Sequence, residues 1–133
     1  IVHTCEIREV TKYVETVPDW AIQLVEKFSP GPLTLLLPKK SIIPDLVTSG
    51  LENVGIRIPN HPLTLELLRN IPFPLAAPSA NPFGYISPVS AFHVQDQLGD
   101  KIPLILDGGF SSVGIESTIV GYESGKPVIY RLG

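Results

Sequence analysis

The sequence has little sulfur and no long apolar run. Its 133 residues include one cysteine, Cys5, and no methionine. A single cysteine excludes an internal disulfide and a zinc site built from several cysteines, and it indicates a reducing compartment. The longest apolar runs, such as residues 33–37, are far too short to cross a bilayer. Because no charged-then-apolar leader opens the chain, we expect a cytoplasmic protein without a membrane anchor.

Charge and motif spacing exclude several other classes. Thirteen acidic and ten basic residues leave a formal charge of -3, which argues against a protein that binds nucleic acid by bulk neutralisation of phosphates. The three histidines, His3, His61 and His93, do not have metal-ligand spacing, and no nucleophile-elbow signature is present. The sequence therefore predicts neither a resident metal nor a catalytic nucleophile.

The sequence does contain a mixed α/β pattern of the length of one domain. With 44% hydrophobic residues, the chain can bury a sizeable core. Apolar periodicity and capping residues predict helices at 19–28, at 62–70 after a cap at Asn60 or His61, and from Ser87-Pro88 to Leu98. Runs of β-prone residues predict strands at 1–3, 33–37, 53–58, 74–78, 103–106, 117–122 and 128–132. We expect one mixed sheet with flanking helices.

The strand predicted at 53–58 gives Arg57 a definite direction. Val54 and Ile56 alternate with Asn53, Gly55 and Arg57, so the arginine lies on the face opposite the apolar one. A guanidinium can hold a carboxylate or phosphate in two-point contact. Spacing alone favours the simpler alternative, which is a surface ion pair.

Two loops and two further side chains are candidates for ligand contact. Ser79 and Asn81 follow a predicted strand, where α/β sheets usually hold ligands, although spacing alone favours the simpler alternative of an ordinary Asn-Pro turn. The glycine-rich segment 108–120 would let backbone amides approach an anion, or it is a flexible connector. Arg131 on the last strand could reach a phosphate, and His61 beside Pro62 is better explained as a helix cap than as a catalytic group.

Six ordered motifs resemble the threonylcarbamoyl-AMP synthase family, whose domain is called YrdC-like. They are Ile-Val-His at 1–3, Phe-Ser-Pro-Gly-Pro-Leu-Thr at 28–34, Val-Gly-Ile-Arg-Ile-Pro at 54–59, Pro-Ser-Ala-Asn at 78–81, Glu-Ser-Thr-Ile-Val at 116–120 and Tyr-Arg-Leu-Gly at 130–133. The resemblance implies a twisted mixed parallel and antiparallel sheet with flanking helices around a central cavity.

The resemblance also implies an activity. Members of the family convert L-threonine, bicarbonate or CO2, and ATP with Mg²⁺ into threonylcarbamoyl-AMP and pyrophosphate. The adenylate then serves a tRNA threonylcarbamoyl-transferase complex that modifies certain tRNAs. By the same resemblance, the threonine-binding residues are His3, Arg57, Ser79 and Ser117. The nucleotide-binding residues are Asn53, Asn81, Val89 and Arg131.

The chain departs from the family pattern at several positions. Asn53 and Val89 stand where many relatives carry a small hydroxyl residue, and Val89 could contribute only backbone groups. The family's Lys-x-Arg motif, which normally precedes the first strand, is absent, and Lys39-Lys40 follows the wrong strand to replace it. We therefore expect residues 1–133 to be a YrdC-like domain that lacks its N-terminal segment and, by itself, binds ATP poorly and turns over little.

Two alternatives use the same fold. One is a non-catalytic module that binds double-stranded RNA or assists ribosome assembly, and the net charge of -3 weighs against it. The other is a carbamoyl-transfer domain of the kind found in hydrogenase maturation proteins, where further domains surround it.

Overall fold

The computed structural model describes residues 1–133 and divides them into two compact units. The larger unit comprises residues 1–77 and 117–133, and the smaller one comprises residues 78–116. The larger unit carries the sheet and all but one of the helices.

The larger unit contains ten of the regular elements and the smaller unit one. Its strands are β1 Val2–His3, β2 Leu33–Pro38, β3 Asn53–Arg57, β4 Leu75–Ala76, β5 Thr118–Glu123 and β6 Lys126–Arg131. Its helices are α1 Ile7–Val10, α2 Asp19–Phe28, α3 Asp45–Thr48 and α4 Pro62–Asn70. The smaller unit contains α5, Ala91–Leu98.

The six strands form one sheet in the order β4-β1-β3-β2-β5-β6. The pairs β1–β3 and β2–β5 are parallel, and the other three pairs are antiparallel. This confirms the predicted mixed sheet. Strand β2 lies at the centre and is buried along most of its length, which its continuous apolar run predicts.

Helix α2 covers the apolar face of the sheet. It begins after Pro18 and ends before Ser29, as the apolar spacing and the following Pro-Gly-Pro predict. Trp20 and Leu24 pack against the buried core of the sheet. The side of β2 that carries Leu33 and Leu35 therefore faces α2, and Thr34 points to the opposite side.

Three predictions about local structure are wrong or incomplete. Helix α5 begins at Ala91 instead of Ser87 because Ser90 is its N-cap, with the Ser90 side chain accepting a hydrogen bond from His93 N. Residues 103–106 form no strand, and Leu104 is exposed. His61 does occupy the N-cap of α4, but its side chain makes no capping hydrogen bond.

No helix combines the length and the apolar character that crossing a membrane requires.

Candidate functional site

Paired residues form a row across five neighbouring strands of the larger unit. His3 on β1 lies opposite Arg57 on β3, and Arg57 lies opposite Thr34 on β2. Thr34 in turn lies opposite Ile119 on β5, and Ile119 lies opposite Arg131 on β6. Laterally paired residues of a regular sheet point to the same face, so His3, Arg57 and Thr34 share the face opposite α2. The register of β5 and β6 is irregular between Ile119 and Val120. Arg131 is instead placed on that face by its hydrogen bond to Ser117 Oγ, which contacts Thr34.

The Arg57 side chain is held by the loop between α2 and β2. Its Nε donates a hydrogen bond to the carbonyl oxygen of Gly31 at 3.0 Å. Burial lowers the pKa of Arg57, and the positive charge of Arg131 lowers it further. A half-buried guanidinium that is oriented by its Nε and faces a like charge is well suited to a bound anion.

The position of Gly31, whose carbonyl oxygen accepts the Arg57 hydrogen bond, has no space for a side chain. A Cβ atom at this position would overlap the carbonyl oxygen of Phe28, which belongs to the backbone and cannot rotate away. The Gly31 N–H donates to Ile58 O at 2.9 Å. The absence of a side chain at Gly31 therefore lets the loop bring its carbonyl oxygen to Arg57.

The surroundings of His3 lower its pKa and so favour the neutral imidazole. Burial lowers the pKa of His3, and the neighbouring Arg57 charge lowers it further, although hydrogen bonds to backbone groups of Leu75 and Ile1 act in the opposite direction. Neutral histidine offers one donor and one acceptor, so His3 can contact a polar ligand without adding charge to the row.

Ser117 precedes β5 and is almost entirely buried. Its Oγ lies 2.7 Å from Thr34 Oγ1. Arg131 donates to Ser117 O from Nε at 3.0 Å and from Nη2 at 2.9 Å, and Nη2 also donates to Ser117 Oγ at 3.2 Å. Two residues predicted for different ligands, Ser117 and Arg131, are thus in direct contact.

Asn53 occupies the same face of the sheet at a greater distance. It is exposed at the start of β3, four residues before Arg57. Four residues of strand span about 13 Å. Asn53 and Arg57 can therefore contact one extended ligand but not the same small group.

The remaining predicted site residues belong to the unit formed by residues 78–116. Ser79 is exposed in the loop after β4. Asn81 closes a turn, because its Nδ2 donates to Pro82 O at 3.0 Å and to Tyr85 O at 3.1 Å. The Oδ1 of Asn81 is buried and has no hydrogen-bond partner. The Asn-Pro turn is present as the simpler alternative predicted, and one polar atom of Asn81 remains to be satisfied.

The backbone groups of Val89 already have partners inside this smaller unit. The Val89 N–H donates to His93 Nδ1 at 3.4 Å, and Val89 O accepts from Ser111 N at 2.8 Å. Since backbone atoms are all that Val89 could offer a ligand, only the second lone pair of its carbonyl remains for that purpose.

Two lysines that follow β2 make structural contacts. Lys39 Nζ lies 2.6 Å from Asp45 Oδ1 and donates to Thr48 Oγ1 at 2.9 Å. Lys40 Nζ donates to Thr11 O at 2.8 Å. No group of three or more His, Cys, Asp or Glu side chains is placed to hold a metal ion. Lys39 and Lys40 are thus held away from the row that carries Arg57 and Arg131.

Sequence reasoning did not identify Thr34 as part of this cluster. It lies in the middle of an apolar run, where its side chain is 0% exposed. A hydroxyl at a buried strand position needs a hydrogen-bond partner. That requirement indicates that Thr34 has a polar partner. The sequence does not show which one, because Ser117 is 83 residues away.

A family model described as telomere recombination, and named Sua5_yciO_yrdC, matches residues 1–133. The chain belongs to the Sua5/YciO/YrdC family. Its membership agrees with the mixed sheet and with the six sequence motifs. These lie in β1, β2, β3, β5, β6, the end of α2 and the loops between elements.

Curated relatives in this family carry one name. The chain is 40% identical over 133 residues to the threonylcarbamoyl-AMP synthase of Pyrococcus abyssi and 43% identical over 134 residues to that of Bacillus subtilis. Each match covers 100% of this chain and 39% of the relative. The chain therefore spans well under half the length of these two relatives.

Solved structures of relatives have the same fold. A crystal structure of P. abyssi Sua5 complexed with L-threonine matches with a TM-score of 0.94 and 39% identity, over 98% of this chain and 38% of that one. The structure of E. coli YciO matches with a TM-score of 0.85 at 23% identity, over 98% of this chain and 63% of that one. The second likeness concerns the fold alone.

Proposed function

We propose that the full-length protein forms threonylcarbamoyl-AMP from L-threonine, bicarbonate or CO2, and ATP. Two curated relatives that are at least 40% identical across this chain bear the name of that activity. A relative with the same fold binds L-threonine in its crystal structure. The structural observation that best supports the proposal is the orientation of Arg57.

Arg57 is suited to the carboxylate of an amino acid. Its Nε is committed to Gly31 O, so the guanidinium plane is fixed and its terminal nitrogens are directed as a fork. Its position opposite both His3 and Thr34 surrounds that fork with neutral polar groups. A carboxylate held there would have its amine and hydroxyl within reach of further hydrogen-bonding groups.

The reaction requires positioning more than covalent help from the protein. The threonine amine adds to CO2, loses a proton and becomes a carbamate. A carbamate oxygen then attacks the α-phosphorus of ATP, the bond between the α- and β-phosphates breaks, and pyrophosphate leaves. ATP would bind as its Mg²⁺ complex, in which the metal would neutralise part of the phosphate charge. Arginines in a site that excludes water stabilise the charge that develops during this transfer.

The proposed binding residues fall into two groups, one for L-threonine and one for the nucleotide. His3, Arg57, Ser79 and Ser117 would contact threonine. Asn53, Asn81, Val89 and Arg131 would contact the nucleotide. Because two donor groups of Arg131 are directed at Ser117, we assign Arg131 a second role, which is to hold Ser117 in place.

The product would pass to a tRNA threonylcarbamoyl-transferase complex in the cytoplasm. The alternative of a non-catalytic module for double-stranded RNA is not favoured, because the similar curated relatives are named as synthases. An RNA-binding module would need a basic surface, whereas this chain has a net charge of -3.

The test is pyrophosphate release by the full-length protein in the presence of ATP and Mg²⁺. We expect release to require both L-threonine and bicarbonate and to fall at least about a hundredfold in Arg57→Ala, because a charge-assisted two-point contact is lost. Arg69→Ala is the matched control, since Arg69 is exposed in the last turn of α4. Salt-sensitive RNA binding without any threonine-dependent release would support the RNA-binding module instead.

A further inference from the structure

The two hydroxyls of Thr34 and Ser117 form a buried pair beside Arg57. The Thr34 side chain is 0% exposed and the Ser117 side chain is 3% exposed. Their oxygens are 2.7 Å apart, and distance alone leaves either atom as the donor. The surroundings of the two hydroxyls favour one direction.

Ser117 Oγ must accept a hydrogen bond from Arg131. The Nη2 atom of Arg131 is 3.2 Å from Ser117 Oγ, and a guanidinium nitrogen can only donate. One of the two acceptor lone pairs of the serine hydroxyl is therefore in use. The remaining groups on this oxygen are one lone pair and one proton.

Thr34 is best satisfied as the donor of the pair. Ser117 Oγ is the one partner that its hydroxyl has in the structure. Either direction leaves one hydroxyl proton of the pair without an acceptor. If Ser117 donated, it would be the proton of Thr34, which is 0% exposed and has no other partner. If Thr34 donates, it is the proton of Ser117, which a ligand bound beside Arg57 could accept. If Thr34 donates, its own proton is satisfied, and the second lone pair of Ser117 Oγ is used as well.

Ser117 is then left with its proton alone. It accepts from Arg131 and from Thr34, so a third partner can only receive its hydrogen bond. Ser117 also lies two residues before Ile119, the residue paired with Thr34, so its side chain points to the face that carries Arg57.

We propose that Thr34 is a positioning residue that fixes Ser117 as a hydrogen-bond donor toward an anionic oxygen of the bound amino acid. This rests on the proposed function, which supplies L-threonine as the ligand. The consequence is specificity, because a donor-only hydroxyl beside a guanidinium favours a carboxylate or carbamate. It disfavours a neutral amide, whose nitrogen also donates.

Three variants of the full-length protein separate this role from simple packing. Thr34→Val keeps the shape and removes the donor, and Thr34→Ser keeps the donor. Thr4→Val is the matched control, because Thr4 is also a buried threonine, 1% exposed, but its hydroxyl has no partner. Replacing an unsatisfied buried hydroxyl by a methyl group should not weaken the fold.

The first measurement compares the KM values for the two substrates. We expect Thr34→Val to raise the KM for L-threonine about tenfold, as the loss of one positioned hydrogen bond predicts, while the KM for ATP changes less than about twofold. Thr34→Ser should restore the threonine KM to within about threefold of wild type. Thr4→Val should behave as wild type.

The second measurement tests the direction of the hydrogen bond. L-Threoninamide has the same amine and side chain as L-threonine and can compete with it for the site. It carries an NH2 group in place of one carboxylate oxygen. In Thr34→Val, Ser117 Oγ regains a lone pair that can accept from that group. The preference for L-threonine over L-threoninamide should therefore fall about fivefold or more relative to wild type and Thr34→Ser.

The possible failures are distinguishable. A wild-type protein that neither binds L-threonine nor releases pyrophosphate would overturn both this proposal and the proposed function. A wild type that responds to threonine, together with a Thr34→Val variant of unchanged threonine KM and unchanged amide preference, would overturn the present proposal alone. An equal loss in Thr34→Val and Thr34→Ser would also overturn it, since the hydroxyl would then not be what matters.

Discussion

The charge of Arg131 on β6 reaches Arg57 on β3, although two strands lie between them. Burial lowers the pKa of Arg57, and the Arg131 charge lowers it further. The long side chains of both residues thus bring two like charges close together over the polar face of the sheet. Such an arrangement is unfavourable by itself and becomes favourable when an anion lies between the charges.

Bound L-threonine should therefore stabilise the protein measurably. At a concentration of one hundred times Kd, ligand binding stabilises the folded state by about 2.7 kcal/mol. Thermal melting of the full-length protein should show a rise in Tm with L-threonine that is lost in Arg57→Gln and kept in Arg69→Gln. If Arg57→Gln retained the full rise, the carboxylate would not be bound by Arg57.

Gly31→Ala should damage both stability and threonine binding. The added Cβ would overlap the Phe28 carbonyl oxygen, so the loop must move, and the oxygen that orients Arg57 moves with it. We expect a loss of about 1–3 kcal/mol in the free energy of unfolding, measured by urea denaturation, and a higher KM for threonine. Gly114→Ala is the control, because its Cβ would lie 3.9 Å from Val89 Cγ1, an ordinary contact. Equal effects of the two variants would contradict the argument.

His3 should make the protein less stable as the pH falls. Burial and Arg57 lower its pKa in the folded state, so the unfolded chain, with a histidine pKa of about 6.5, binds its proton first. The free energy of unfolding is then unaffected by His3 above that pH and decreases as the pH falls through the folded-state pKa. His3→Gln should show a shallower decrease between pH 7 and pH 5. A steeper decrease in the variant would mean that the His3 pKa is raised instead.

Lys39 should prove to be a structural residue and not a phosphate ligand. Its side chain is 9% exposed and is directed to Asp45 and Thr48 at the start and end of α3. Lys39→Met should lower Tm by a few degrees while leaving the KM for ATP within about twofold of wild type. Lys12→Met, on the exposed surface beside Glu9, should change neither quantity. A large rise in the KM for ATP in Lys39→Met would assign Lys39 to the nucleotide.

Much of the fold follows from local sequence patterns. The bounds of α2 were predicted from apolar spacing and from the prolines beyond its end, and the alternation along β3 gave the direction of Arg57. The four-residue helices α1 and α3 were missed, because one turn of helix carries too few residues for a periodic signal. The apolar run at 103–106 lacks a partner strand, and no local pattern records whether such a partner exists.

The candidate site was predicted less completely for a similar reason. Arg57, His3 and Arg131 could be placed on strands, but the row that joins them depends on strand order and register. The contacts of Ser117 with Thr34 and Arg131 join residues far apart in the sequence. Such pairings are set by the whole sheet and not by any one segment.

The most direct test of the proposed activity is to identify the product. The full-length protein would be incubated with L-threonine, ¹³C-bicarbonate, ATP and Mg²⁺, and the adenylates would be analysed by mass spectrometry. The account predicts an adenylate that contains threonine and one ¹³C atom, formed together with pyrophosphate and absent in Arg57→Ala. If the wild-type protein forms no labelled adenylate under conditions in which a relative such as the Bacillus subtilis enzyme does, the proposed function is wrong.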